Sequence, residues 1–340
     1  MEFPSCSSTR LRPYSVTTVF ARRSGARRVA IAVFVMAAMI STGANRAVAQ
    51  SGQEAIFLLL PVGARAVGMG EAVVAQRGGS DMLWWNPSAI AGNGPADHEI
   101  ALHHSTTVVG QGNALAIVWP GQGRSSFGLA LNVLDLGQQT LTDDQGNSVG
   151  VASPTDFSVA ATYAVAPVSW LSMGFTAKHV EAAIPCSGVC SGLGIASSQS
   201  NAVDLGIQIR PSVPLTLGAA ARNLGVASAA GRPARLDVGA DYLVLALERG
   251  PDKVEVHGAA SLVSTVKLDS TTARFGTDII VDEKLHVRAG YIRDQANGSG
   301  GAIGVGLQSG KLVFDIGRTY GGLTGTNDRP PTYFSLRYLW

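Results

Sequence analysis

From residue 98 onward the chain alternates apolar residues with small or polar ones. Phe127, Leu129, Leu131 and Val133 alternate with Ser126, Gly128, Ala130 and Asn132. Val203, Leu205, Ile207 and Ile209 do the same against Asp204, Gly206, Gln208 and Arg210, and Ala273, Phe275, Thr277 and Ile279 against Arg274, Gly276, Asp278 and Ile280. A period of two marks a β-strand with two unlike faces. Such segments recur roughly every 15–20 residues. They predict fourteen strands near 98–107, 112–120, 125–134, 155–164, 171–181, 201–211, 215–223, 234–245, 254–264, 272–281, 285–293, 302–309, 311–320 and 332–340. An even number of segments, each near the ~9–11 residues that a tilted membrane strand needs, is the pattern of a transmembrane antiparallel β-barrel.

The connections support that reading. From the second strand onward, tight connections at 121–124, 165–170, 211–214, 282–284 and 310 alternate with longer ones at 135–153, 182–200, 224–233, 294–301 and 321–331. Outer-membrane barrels have short periplasmic turns and longer external loops. With the first strand running outward, all five long connections fall outside. The pair around 246–253 and 265–271 is similar in length and discriminates nothing.

Charge decides which face meets lipid. Lys178, Arg210, Arg222, Arg274, Arg288 and Arg337 share their face with the small or polar residues, as do Asp204, Asp237, Asp241, Glu255 and Asp278. An Arg or Lys on the lipid face at the bilayer midplane costs about 2–4 kcal/mol, so this face belongs in the lumen. A soluble periplasmic β-sandwich would alternate likewise, but its wet face would carry Lys, Glu and Thr rather than Gly and Ala. The last strand sets Phe334, Leu336, Tyr338 and Trp340 against Ser335, Arg337 and Leu339, and the sequence stops on the aromatic. That ending resembles the signal read by the outer-membrane barrel assembly machinery, which takes an amphipathic strand by edge addition.

Composition agrees. Charged residues are only 15% of the 340, aromatics 6%, and there are 41 glycines without a collagen period. The net charge of +2 mixes two segments: residues 1–49 hold seven arginines and one acid, leaving 19 basic and 23 acidic residues beyond. No nucleic-acid binder is indicated. Arg22, Arg23, Arg27 and Arg28 precede a 12-residue apolar run from Val29 to Ile40, then Ala47-Val48-Ala49. Basic region, short apolar run and A-x-A site predict a cleaved signal peptide over 1–49 and a mature chain from Gln50. A spanning helix would need about 20 residues. Export places Cys186 and Cys190, flanking Ser187-Gly188-Val189, in an oxidising compartment, where C-x₃-C reads as a small disulfide-closed loop.

Residues 50–97 depart from the strand pattern. They carry Gly63-Ala64-Arg65-Ala66-Val67-Gly68-Met69-Gly70 and then Trp84-Trp85-Asn86-Pro87-Ser88-Ala89-Ile90-Ala91. The paired G-A-R-x-x-G-M-G and W-N-P-x-x-[IL]-A motifs resemble the start of the PorV/PorQ family, a branch of the FadL-like (fatty-acid-transporter-like) outer-membrane barrels. The resemblance implies a fourteen-stranded barrel over 98–340 with 50–97 folded into the lumen as a hatch. Gly68 and Gly70 then let backbone approach the wall, and Met69, Trp84, Trp85, Asn86 and Pro87 plug and brace the lumen or line a ligand route. Asn86 before Pro87 is biased away from helix and suited to hold a turn. Glu71 departs from the family, which has a small residue there.

Catalytic constellations are weak. Gly146-Asn147-Ser148-Val149-Gly150 matches G-x-S-x-G but lacks the strand before and helix after that a nucleophile elbow needs. His103 and His104 must face opposite sides of a strand, and His179, His257 and His286 lack metal-ligand spacing. Neither enzyme activity nor a cofactor is expected. The expected protein sits in the outer membrane, in contact with its lipid, and passes small hydrophobic molecules as the hatch shifts. The alternative is a receptor or scaffold for secreted cargo, like PorV in type IX secretion.

Overall fold

The computed structural model describes residues 57–92, 98–189, 198–226, 234–249, 252–266, 268, 270–294, 298–321 and 330–340. The expected signal peptide, residues 50–56 and 93–97 of the hatch, and Cys190 lie outside them. In chain order the strands are β1 (Glu99–Thr107), β2 (Gly110–Pro120), β3 (Ser125–Asp135), β4 (Gln139–Thr142), β5 (Ser148–Ala152), β6 (Thr155–Val168), β7 (Leu171–Ala183), β8 (Cys186–Gly188), β9 (Ser198–Ser212), β10 (Leu215–Leu224), β11 (Arg235–Arg249), β12 (Asp252–Thr265), β13 (Thr271–Val281), β14 (Leu285–Asp294), β15 (Gly300–Ser309), β16 (Leu312–Gly321) and β17 (Thr332–Leu339). Fourteen of them close into one antiparallel barrel, with β17 pairing back onto β1 from Glu99↔Leu339 to Thr106↔Thr332. These are the fourteen predicted strands. The remaining three, β4, β5 and β8, form a separate small sheet built from two of the long connections. Their short, mostly exposed runs carry too little alternation to be read from sequence.

The connections sort by end. At one end they are 121–124, 169–170, 213–214, 250–251, 282–284 and 310–311, and at the other, apart from 108–109, they span five residues or more. The pair that sequence left undecided is resolved because β11 and β12 run on to Arg249 and start at Asp252, leaving two residues between them.

Burial is inverted relative to a water-soluble protein. Leu129, Leu205, Phe275, Ile303 and Phe314 point outward and are exposed, whereas Asp204, Asp237, Arg288 and Asp315 point inward and are buried. Cross-strand partners share a face, and the register sets two arginines outward near the long-loop end. Arg293 pairs with Ala273 and Arg318 with Ile303, so both stand on the outward face. Both lie near the long-loop end, where the cost of an outward charge falls to about 0–1 kcal/mol.

Residues 57–92 fill the lumen. Their regular pieces are short: a helix α1 (Ala64–Gly68) and 3₁₀ turns at Ser80–Trp84 and Pro87–Ile90. They are seated by glycine. Inward-facing glycines meet across the strands as Gly174↔Gly206, Gly218↔Gly239, Gly276↔Gly290 and Gly304↔Gly317. A Cβ at Gly174 or Gly206 would run into Pro87 and Asn86, one at Gly218 into the Val74 carbonyl, and one at Gly276 or Gly290 into Met69 and Gly70. At Gly304 it would stand 2.9 Å from the Gly68 Cα, and at Gly317 2.6 Å from the Ala64 carbonyl oxygen. Gly68 and Gly70 thus lie directly against the wall, which supplies the other half of each contact.

Gly290→Val should lower the stability of the refolded barrel in urea by about 1–3 kcal/mol through overpacking. Gly301→Ala, where a Cβ meets open space, should change it by less than about 0.5 kcal/mol. Equal effects of the two would show that the inner segment is not seated on the wall.

Candidate functional site

The inner segment is held by side chains converging from its own turns and from the wall. Asn86 caps the Pro87–Ile90 turn: its Oδ1 accepts from the Ser88 backbone N–H at 3.1 Å and from the Ser88 hydroxyl at 2.7 Å. Its Nδ2 donates to the Val74 carbonyl at 2.6 Å, tying two passes of the segment together. Asn before Pro thus acts as expected, with Pro87 at the first position of the turn. Trp85 is 4% exposed, and its indole Nε1 donates to the Val62 carbonyl at 2.9 Å. Met69 is fully buried, while Trp84 is half-buried and meets the His103 ring edge-on at 5.4 Å. His103 itself points inward onto Ser335 Oγ at 2.8 Å, and His104 points outward, as the alternation requires.

One ion pair binds segment to wall, and a second lies within the wall beside it. Arg274 contacts Glu71 at 2.6 Å and Arg222 contacts Asp237 at 2.6 Å. Arg222 also donates to the Trp84 carbonyl at 3.1 Å. Both guanidinium groups lie over the Trp85 ring, at 5.2 Å for Arg222 and 5.8 Å for Arg274, within cation–π range. Glu71 has a positive φ of 60°, a conformation a non-glycine residue adopts rarely. Its backbone N–H bonds to the Ala66 carbonyl at 2.8 Å, so that turn aims the carboxylate at Arg274. Glu99 of β1 accepts from the Ser80 N–H at 2.8 Å and from the Ser80 hydroxyl at 2.6 Å. The lumen charges singled out from sequence are structural pairs: Lys178 with Asp204, Arg288 with Asp278 and Asp315, and Arg337 with Asp315 and Glu99.

Within the segment, Arg65 grips Asp81 with two bonds of 2.9 and 2.8 Å. Burial, the largest influence on Asp81, favours its neutral form, yet the Arg65 and Arg337 charges hold the carboxyl below its usual range.

Above this seat, toward the long loops, lies a pocket lined by Phe57, Leu58, Leu60, Trp84, Arg222 and Arg274 among others. Its free space is about 60 Å³. Phe57 is buried against Leu134 and Val180, near the long-loop ends of β3 and β7, with Leu58 and Leu60 packed beside it. The apolar run 57–60, the cations over Trp85 and the wall glycines were not recognised as site features from sequence. The recurring inward glycine was the signal available for the last of these.

Cys186 is disulfide-bonded. Phe334, Leu336, Tyr338 and Trp340 lie on or just after β17, each 37–45% exposed. Trp340 stacks on His98 at 5.4 Å and on Tyr338 at 6.1 Å. Gly146 occupies a turn and the exposed Ser148 opens β5, so no helix follows the G-x-S-x-G serine. Among the described residues, no three His, Cys, Asp or Glu side chains form a metal-ligating group.

No family model and no curated protein matches the sequence. The solved structures do give a likeness. The CymD monoaromatic hydrocarbon channel matches with a TM-score of 0.57 at 14% identity, covering 84% of this chain and 99% of that one. The P. putida toluene transporter TodX matches with a TM-score of 0.56 at 11% identity, over 82% and 98% of the two chains. At such identities the likeness is one of fold. This chain is a closed fourteen-stranded antiparallel barrel whose fold is like that of the CymD and TodX channels.

Because the folded Asp81 pKa is depressed, its contribution to stability is complete above the ordinary carboxylate value near ~4 and is lost as pH falls through the lower folded value. Asp81→Asn should therefore cost about 3 kcal/mol at neutral pH, by leaving Arg65 buried and unpaired. The gap from the native protein should close in acid, as read from urea midpoints between pH 7 and pH 2. A gap that stays constant with pH would rule the pair out as a source of stability.

Proposed function

We propose that this chain is an outer-membrane barrel, of the PorV/PorQ branch of the FadL-like proteins, through which small hydrophobic molecules pass without an energy source. Export by a signal peptide cleaved before Gln50 and insertion through the Phe334–Trp340 strand by the assembly machinery belong to the same reading. The long loops then face outward and the tight turns face the periplasm. One observation carries the proposal: an otherwise charged lumen holds, at its long-loop end, a pocket to which Phe57, Leu58, Leu60 and Trp84 contribute an apolar share beside Glu71, Lys178, Arg222 and Arg274. An apolar solute captured there leaves water at roughly 25 cal/mol per Å² of its surface buried. The channels that share the fold are named for hydrocarbons, which fits such a pocket.

The pocket as it stands is too small. A benzene-sized ligand occupies a cavity on the order of 150 Å³, against about 60 Å³ here. Passage therefore requires the 57–60 run to move aside while the glycine-seated part stays in place. The second reading, a receptor for secreted cargo, draws on the ordered β4–β5–β8 sheet, a presentable surface in the long connections.

Cells carrying the barrel should take up a labelled monoaromatic hydrocarbon faster than cells carrying an empty vector. Leu58→Trp, which fills the pocket, should slow that uptake several-fold while the unboiled barrel keeps its shifted gel mobility. Uptake by the variant equal to the native rate would exclude this pocket from the route. Secreted protein co-purifying equally with both forms, with no uptake by either, would favour the receptor.

A further inference from the structure

Five guanidinium groups of the lumen share one arrangement, and Arg77 departs from it. Arg65, Arg222, Arg274, Arg288 and Arg337 each face a carboxylate. Arg77, at the short-turn side of the inner segment, does not. No carboxylate among the described residues forms an ion pair with it, and its Nη2 is buried without a hydrogen-bond partner. Arg77 is half-buried, and a charge partly withdrawn from water without a counter-charge is unfavourable.

Its surroundings add positive charge. Gln208 of β9 donates to the Gln76 carbonyl at 2.7 Å and to the Val74 carbonyl at 3.2 Å, which fixes residue 77 beside the short-turn end of β9. Two residues on, on the same inward face, stands Arg210. Its backbone N–H bonds to the Trp170 carbonyl at 2.8 Å, and its guanidinium donates to the Ser169 carbonyl. The charge of Arg124, from the exposed 121–124 turn, acts on Arg210 in turn. Arg124 abuts Gly92 at the other end of the described inner segment. Burial first, and then Arg210, push Arg77 down to about 10. A fold that pairs five arginines with carboxylates has thus set Arg77 beside Arg210, with Arg124 close by, at the short-turn end of the lumen.

We propose that Arg77, Arg210 and Arg124 form a binding site for a phosphate-type oxyanion at the periplasmic end of the lumen. Guanidinium forks donate paired N–H groups in the geometry that phosphate oxygens accept, and three forks match a group with several such oxygens. Trp170, in the turn that holds Arg210, is 52% exposed. Tryptophan concentrates at the level of lipid headgroups, which places the site at the depth of the phosphates of the periplasmic leaflet. The same chemistry is satisfied by free phosphate entering from the periplasm.

The test uses the full barrel purified in non-ionic detergent. Inorganic phosphate should raise its unfolding temperature saturably, beyond the effect of chloride at equal ionic strength. Arg77→Gln should weaken that response about tenfold or more, the worth of one charge-assisted contact. In nanodiscs containing phosphatidylglycerol, native mass spectrometry distinguishes the two sources. Lipid retained by the native barrel and lost by the variant assigns the site to a headgroup. A phosphate response without lipid retention assigns it to a soluble oxyanion. If neither ligand distinguishes the native barrel from a variant with native gel mobility, the proposal is overturned. Should Arg77→Gln not fold, Arg124→Gln in the exposed turn gives the same readout, and its indifference overturns the proposal equally.

Discussion

Two backbones can lie in contact only where neither carries a side chain at the point of approach, and most of this lumen is organised by that constraint. A barrel of fourteen strands has more interior than its own side chains fill. Here a folded segment fills it, and the wall meets that segment with paired glycines on β7 and β9, on β10 and β11, on β13 and β14, and on β15 and β16. Gly68 and Gly70 complete the contact from the inside. Glycine in a strand weakens the strand taken alone; its recurrence here is compensated by close packing against the hatch.

Once the backbones touch, the polar groups around them must be satisfied in place. Asn86 and Gln208 both donate to the Val74 carbonyl, Trp85 closes on Val62, and Glu99 takes the Ser80 donors. The cations follow the same logic. Arg222 and Arg274 each pair with an acid and lie over Trp85, bracing the inner segment below the apolar 57–60 run. The proposed route requires a division between the glycine-seated base and the apolar 57–60 run above it.

The fourteen strands were legible because the two faces of each strand meet different solvents, and that difference is written at every second residue. Leu205 against Asp204 and Phe275 against Arg274 state the barrel, its closure and its inside without any long-range information. The inner segment was legible as a break in the strand alternation, and Gly68, Gly70, Asn86 and Pro87 stood out in it by residue type. What was not legible depends on distant partners. Gly290 is an ordinary small lumen residue until Gly70 is known to lie against it, and Glu71 is an oddity until Arg274 is seen 2.6 Å away. Strands β4, β5 and β8 were missed for a different reason, being three to five residues long and mostly wet on both faces.

The claim on which the account turns is that residues 62–91 are as much a fixed part of the fold as the barrel wall. Hydrogen exchange of the purified barrel measures this directly, since exchange reports local opening on the scale of minutes to hours. The amides of Val67, Met69, Gly70, Asn86 and Ala89, all donors to backbone carbonyls, should exchange as slowly as those of β13 and β14. Exchange of these amides within seconds, with the strands still protected, would mean that the hatch opens as a unit and that the glycine seat does not hold it.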